Sequence, residues 1–272
     1  LRRPARTCYD APPRGPSLSI ANLSAVLQPA LTNQLAENAR RVRERIAAAA
    51  ERAGRDPRGI RVVAVTKYVD AAVAAALCEA GERELGENRV QELEAKGPAL
   101  APLAPTWHLI GSLQTNKVAK ALRWARWIHS VDRPALWDSL RTRWRDSRTE
   151  GSTRGGLEVL PRLLLQVNVS GEATKHGFTP EELRAFLRAR SAEMRAEGLL
   201  PAGLMTMAPL GAHAAATRAC FDGLAALRDE MRAEGAALGA ELSMGMSQDF
   251  EHALAAGATI LRIGSAFFEG LS

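Results

Sequence analysis

Arg61-Val-Val-Ala-Val-Thr-Lys67 is an apolar run held between two cationic residues, and Tyr68-Val69-Asp70 after it contain no glycine. A short continuous apolar run of this kind reads as a strand buried on both faces, the type found in parallel sheets. Parallel neighbours need crossover helices, so the run predicts an α/β fold. A doubly wound open sheet ordinarily carries a glycine-rich turn after its first strand. The glycine-free turn here favours a closed barrel instead. Lys67 itself has two readings. It either snorkels from the strand end into water, the common fate of a lone lysine, or it sits among apolar groups that disfavour its charge and make it a nucleophilic amine of the Schiff-base type.

Outward from this run the chain alternates. Strands are expected at 61–67, 84–88, 106–110, 127–131, 162–168, 202–206, 241–245 and 259–264. Helical patterns fall near 70–80, 89–96, 115–124, 133–146, 180–196, 212–234 and 247–256. A further helix precedes the first strand: Leu35, Ala39, Val42 and Ile46 share one face, and Gly54 can end it. Thr179-Pro180-Glu181-Glu182 offers an N-cap, a proline at the first helical position and a capping-box glutamate. Ser247, followed by Asp249 and Glu251, is expected to open the last helix. Gly151–Gly156 (GSTRGG) reads as a connection within the fold, because the alternation resumes directly after it. The count predicts a single (β/α)8 TIM barrel.

Composition narrows the function classes. The chain has 272 residues, 46% hydrophobic, with a formal net charge of +6 that comes mainly from arginine, enough to bury one large core. No apolar stretch is long enough for a membrane span. Aromatic residues are only 5% and no basic stripe alternates with them, so nucleic acid is not the expected partner. Cys8, Cys78 and Cys220 are far apart and lack metal-ligand spacing, which points to a reducing compartment and no metal site. Residues 1–31 are rich in Arg, Pro, Ser and Ala and are read as a disordered N-terminal extension, with the barrel domain at 32–272.

In a barrel, functional groups gather where strands run into the following helices. At those positions lie Lys67, Gly86-Glu87-Asn88, Trp107-His108, His129-Ser130-Val131-Asp132, Gly203-Leu204-Met205-Thr206, Ser243-Met244-Gly245-Met246-Ser247 and Arg262-Ile263-Gly264-Ser265. The loops after strands seven and eight are the usual phosphate position, and Gly245, Ser247, Gly264 and Ser265 are small enough for a phosphate to approach backbone N–H groups. Arg262 shares a strand face with Gly264, so it either pairs with the phosphate, faces a ring nitrogen, or covers the barrel rim. His108 and His129 read as pocket wall or as satisfied core residues, the core role being preferred for His129. Trp107 and Met205 pack by default, Cys78 and Cys220 are small core residues, and His176 lies on an exposed loop. A Schiff-base lysine across the barrel from a phosphate cradle suggests pyridoxal 5′-phosphate.

The motif series VAVTK (63–67), GENRVQE (86–92), WHLIGSLQTNK (107–117), HSVD (129–132), VNVSGEATKHGF (167–178), GLMTMAP (203–209) and LSMGMSQDFEHAL through RIGSAFF (242–268) resembles the pyridoxal phosphate homeostasis proteins. These are barrel-only relatives of the alanine racemase N-terminal domain. The resemblance spans about residues 33 to 268. It implies that Lys67 carries the cofactor as a Schiff base, that Ser247, Gly264 and Ser265 hold the phosphate, that Arg262 sits near the pyridine nitrogen or phosphate edge, and that Asn88 and Met205 line the ring pocket. Tyr68-Val69-Asp70 departs from the Thr-Val-Pro-like turn of many relatives, away from these contacts.

The racemase-like enzymes use a second acid/base from a further domain, and this chain stops at Ser272, soon after its last strand. A cationic Arg262 would also keep the ring nitrogen unprotonated and weaken its action as an electron sink. The expectation is a cytoplasmic, monomeric protein, without catalytic residues, that buffers or delivers pyridoxal phosphate, with transient contact to apo-enzymes that receive it. The alternatives are an amino-acid racemase or decarboxylase of the same fold, and an aldolase-type barrel using Lys67 without a cofactor.

Overall fold

The structure, a computed structural model, describes residues 29–149, 161–172 and 174–271. Residues 1–28 of the extension expected at 1–31, Cys8 and the GSTRGG connection lie outside the described residues, and residues 29–31 are helical.

Eight strands form a closed barrel in sequence order: β1 (Arg61–Val65), β2 (Glu84–Glu87), β3 (Thr106–Leu109), β4 (Ala125–Val131), β5 (Arg162–Gln166), β6 (Gly203–Met205), β7 (Glu241–Ser243) and β8 (Ile260–Ile263). Every neighbouring pair is parallel, and β8 closes on β1 with Val63 opposite Arg262. Helices α1 (Pro29–Arg52), α2 (Ala71–Glu79), α3 (Val90–Leu100), α4 (Val118–Leu122), α5 (Pro134–Thr149), α6 (Pro180–Glu197), α7 (Ala214–Ala233) and α8 (Phe250–Ala255) surround it. Helix α1 starts at Pro29, packs against α2 and α8, and so occupies the gap between the last helix and the first crossover. Asn38 on α1 donates to the backbone oxygens of Phe267 (3.0 Å) and Glu269 (2.9 Å), which ties this helix to the segment after β8.

The alternation of side chains along each strand divides the core into two parts. Val62, Ala64, Leu85, Leu109, Ile128, Leu163, Leu165, Leu204, Leu242, Leu261 and Ile263 face the helices and form the main cluster with them. Val63, Trp127, Leu164, Met205 and Ile260 form a second, inner cluster within the barrel. Polar residues share that interior: His108, His129, Ser243 and Arg262 are all buried.

Most strands end earlier than their apolar runs. The first stops at Val65 rather than Lys67 because the chain must turn to start α2. The Val69 N–H bonds the Thr66 carbonyl (3.1 Å), and the Asp70 side chain accepts from the Val73 N–H (2.9 Å) as N-cap. Lys67 and Tyr68 are the central residues of that turn. The capping box at Thr179 is formed as its sequence indicates, with Pro180 opening α6. The last helix differs: α8 begins at Phe250, and Ser247 stays in the loop before it. That loop is folded on itself, with Met246 N–H donating to Asp249 Oδ1 at 2.6 Å. Gly245 there has φ of +92°, and a Cβ on it would fall 2.6 Å from Ala253 Cβ, so only glycine lets α8 pack this closely.

Candidate functional site

The expected site residues sit on five consecutive strands of the closed barrel: Met205 on β6, Ser247 after β7, Arg262 with Gly264 and Ser265 on and after β8, Lys67 after β1, and Asn88 after β2. Barrel closure changes one expectation. Lys67 is not across the barrel from the glycine-serine loops; it follows the strand next to them, because β8 pairs with β1. A Cβ on Gly264 would meet Val65 Cβ at 3.6 Å, so the two strand ends run side by side in ordinary contact.

Ser247 and Gly264 are in direct contact, the Gly264 N–H donating to Ser247 Oγ at 3.3 Å. Ser265 opens a single turn of 3-10 helix, Ser265–Phe267. Lys67 is half-buried, with Nζ 4.6 Å from the centroid of the Tyr68 ring. Tyr68 is 89% exposed, so this cation–π contact lies at the mouth of the barrel.

Behind Lys67 the backbone is clamped by a buried ion pair that the sequence reading misses. Lys96 Nζ donates to Glu87 Oε1 (2.8 Å) and to the carbonyl of Thr66 (2.9 Å), and Thr66 Oγ1 donates to the same Glu87 oxygen (2.6 Å). Burial pushes the Glu87 carboxyl up, against the opposing pull of Lys96 and Thr66. Glu87 Oε2 is buried without a hydrogen-bond partner. The signal that could have found this clamp is Lys96, the lone basic residue in the sequence of α3.

Arg262 points into the barrel rather than over its rim. Nη1 donates to Ser243 Oγ (2.6 Å) and Nη2 to the carbonyl of Thr206 (2.9 Å), two of its five N–H groups. Complete burial pushes it down to about 10, which leaves it a cation at neutral pH. Met205 packs in the inner apolar cluster, its default reading. Asn88 borders a cleft of about 420 Å³ whose other walls include Arg89, Gln91, Ser112, Gln114 and Lys117. A Cβ on Gly111 would lie 2.2 Å from the Asn88 carbonyl oxygen, so glycine allows the loop after β3 to brace Asn88.

His108 and His129 are fully buried, as the core reading expects, yet they are joined to polar groups rather than apolar ones. His108 Nε2 lies 2.6 Å from Glu84 Oε2, His108 Nδ1 lies 2.9 Å from His129 Nε2, and His129 Nδ1 lies 2.8 Å from Ser243 Oγ. Burial pushes both rings below the ordinary histidine range. Glu84 opposes this at His108, while the nearby His108 ring and the charges of Arg262 and Arg61 deepen it at His129. Trp107 faces the helices, His176 is exposed, and Cys78 and Cys220 are buried. Among the described residues no helix is long and apolar enough to cross a membrane.

Residues 32–271 match the alanine racemase N-terminal domain. The chain is 40% identical to the pyridoxal phosphate homeostasis protein of Pseudomonas aeruginosa, over 86% of this chain and 94% of that one. It is 38% identical to the protein of the same name from Aquifex aeolicus, over 85% and 96%. Among solved structures, PipY of Synechococcus elongatus with PLP bound superposes with a TM-score of 0.72 at 37% identity, over 86% of this chain and 99% of that one.

Proposed function

The chain belongs to the alanine racemase N-terminal domain family and, within it, to the pyridoxal phosphate homeostasis proteins, and from that premise we propose that it binds pyridoxal 5′-phosphate through Lys67 and holds it for buffering or delivery. The observation that carries this reading is the pairing of β8 with β1, which sets the turn bearing Lys67 beside the loop contact between Ser247 and Gly264. The donor set fits the group. It offers an amine, two adjoining small-residue loops with backbone N–H groups and hydroxyls for a phosphate, and a buried guanidinium for a ring nitrogen.

In this reading the Lys67 amine would hold the cofactor through its aldehyde carbon, as a Schiff base formed with loss of water. Ser247, Gly264 and Ser265 would hold the phosphate, Asn88 and Met205 would bound the ring, and Arg262 would offer an N–H to the ring nitrogen, while the Glu87–Lys96 clamp fixes the peptide before Lys67. When bound, the cofactor supplies an electrophilic carbon and a conjugated ring that can accept electrons.

Arg262 blunts that second capacity. A group that is still charged near pH 7 donates its hydrogen to the ring nitrogen instead of accepting a proton from it. The buried histidines are also committed, since both nitrogens of each ring already have partners. These two observations support a binding protein rather than an enzyme. The free thiols of Cys78 and Cys220 support a cytoplasmic compartment in this reading.

Mass spectrometry of borohydride-treated protein after incubation with pyridoxal phosphate tests the reading. The expected result is one adduct at Lys67, absent in Lys67→Ala. No adduct, or one at another lysine, overturns it. Solvent deuterium incorporated at Cα of an added amino acid, and lost in Lys67→Ala, would replace it with the racemase reading.

A further inference from the structure

The interior of the barrel contains an unbroken hydrogen-bonded chain whose direction is fixed by its ends. Glu84, held ionised by His108 and Arg61 although burial opposes this, can only accept. His108 must therefore carry its proton on Nε2 and, being neutral, accept at Nδ1. The donor to that atom is His129 Nε2, 2.9 Å away, so His129 in turn accepts at Nδ1. Its partner there, among the described residues, is the Ser243 hydroxyl at 2.8 Å, which must donate. The Ser243 oxygen is then left to accept from Arg262 Nη1 at 2.6 Å. Only one pair of tautomers gives every atom of this chain a partner of the right kind.

The remote end of this chain lies at the opening of the barrel away from Lys67. Arg61 also pairs with Glu84, and both Arg61 and Arg162 lie over the Trp127 ring, at 5.0 and 4.6 Å from its centroid. Trp127 in turn stacks on His108, with centroids 5.6 Å apart and planes 7° apart. The anionic end is thus buttressed by Arg61 and by the stack of Arg61 and Arg162 on Trp127, and the lone pair it propagates reaches Arg262.

We propose that Ser243, His129, His108 and Glu84 form a directed relay that positions Arg262 and holds it as a cationic donor toward the bound cofactor's ring, so that groups at the opposite barrel mouth govern the cofactor's electronic state and residence. The four act through Arg262 and are positioning residues. Every donor in the relay points from Arg262 toward Glu84, so each hydroxyl or imidazole presents a lone pair toward the guanidinium side. Breaking any link leaves the next group free to reorient and loosens the guanidinium. The inference rests on the cofactor reading above, with Arg262 at the ring nitrogen.

Two measurements test it. In the cofactor-free protein, nitrogen-15 NMR of the histidine rings should give neutral Nε2–H tautomers for both His108 and His129. An imidazolium or an Nδ1–H tautomer at either ring overturns the relay, whatever the cofactor does. In the protein loaded with pyridoxal phosphate, Ser243→Ala should shift the visible absorption band and speed cofactor release about tenfold, the loss expected for a hydrogen bond to a charged group. Ser243→Thr, which keeps the hydroxyl, should restore both. The near-isosteric Glu84→Gln should move the band in the same direction by a smaller amount. Unchanged spectra in both Ser243→Ala and Glu84→Gln overturn the inference while the cofactor reading stands. A change in Ser243→Ala alone ends the coupling at Ser243 and overturns its long-range part. A protein that takes up no cofactor removes both readings.

Discussion

Lys96 Nζ lies 2.8 Å from Glu87 Oε1, with both side chains out of contact with water, and the same ammonium holds the carbonyl of Thr66, the residue before Lys67. A helix residue and a strand-end residue thus share control of the peptide that carries the candidate nucleophile. Removing one partner of such a buried pair leaves the other charge uncompensated, whereas removing both can be nearly neutral.

Lys96→Met should therefore lose about 3 kcal/mol at neutral pH, and Lys96→Met with Glu87→Gln should lose clearly less. The raised Glu87 carboxyl sets the pH dependence. A carboxyl whose folded pKa is above its unfolded one is no burden below the ordinary carboxylate range, and becomes one as pH rises through the folded value. Urea denaturation should show the deficit of the single variant shrinking on acidification. A single variant as stable as the parent at pH 7 would refute the clamp.

The two buried histidines predict an acid slope of their own. Both are pushed below the ordinary histidine value by burial, so the unfolded chain binds protons that the folded one refuses. The stability they permit is complete above about pH 6.5 and falls below it by about 1.4 kcal/mol per pH unit for each ring. Chemical denaturation between pH 7 and pH 5.5 should show this loss, with the slope reduced in His129→Phe. An equal slope in that variant would assign the acid sensitivity elsewhere.

Gly111→Ala tests the brace on Asn88. The new methyl would overlap the Asn88 carbonyl, so the loops must part, at about 1–3 kcal/mol. Denaturation should register that loss, and pyridoxal phosphate should bind more weakly because Asn88 has moved. Full stability with unchanged binding would show that the two loops separate freely.

Thr179→Ala removes the capping-box acceptor for the Glu182 N–H and should cost about 1 kcal/mol without altering cofactor uptake. Thermal unfolding and a cofactor titration on the same sample separate the two effects. Weakened binding would mean that α6 affects the site in a way its position on the outer helical layer does not explain.

Short-range chemistry was legible in the residues themselves. The apolar run from Arg61 to Val65, the Thr179–Glu182 box and the alternation of apolar runs with amphipathic stretches each depend on neighbours a few positions apart, so eight strands in a closed barrel could be read from them. The strand-end positions of Lys67, Ser247 and Gly264 were legible too, because the apolar runs before them mark where the strands stop. Their adjacency was not, since only closure of the sheet decides that the last strand lies beside the first. Nor were the Lys96–Glu87 clamp, the relay from Glu84 to Arg262, or the brace of Gly111 on Asn88. Each joins residues on different elements through hydrogen bonds a few ångströms long, and register across the barrel, which no local pattern encodes, determines whether such groups meet.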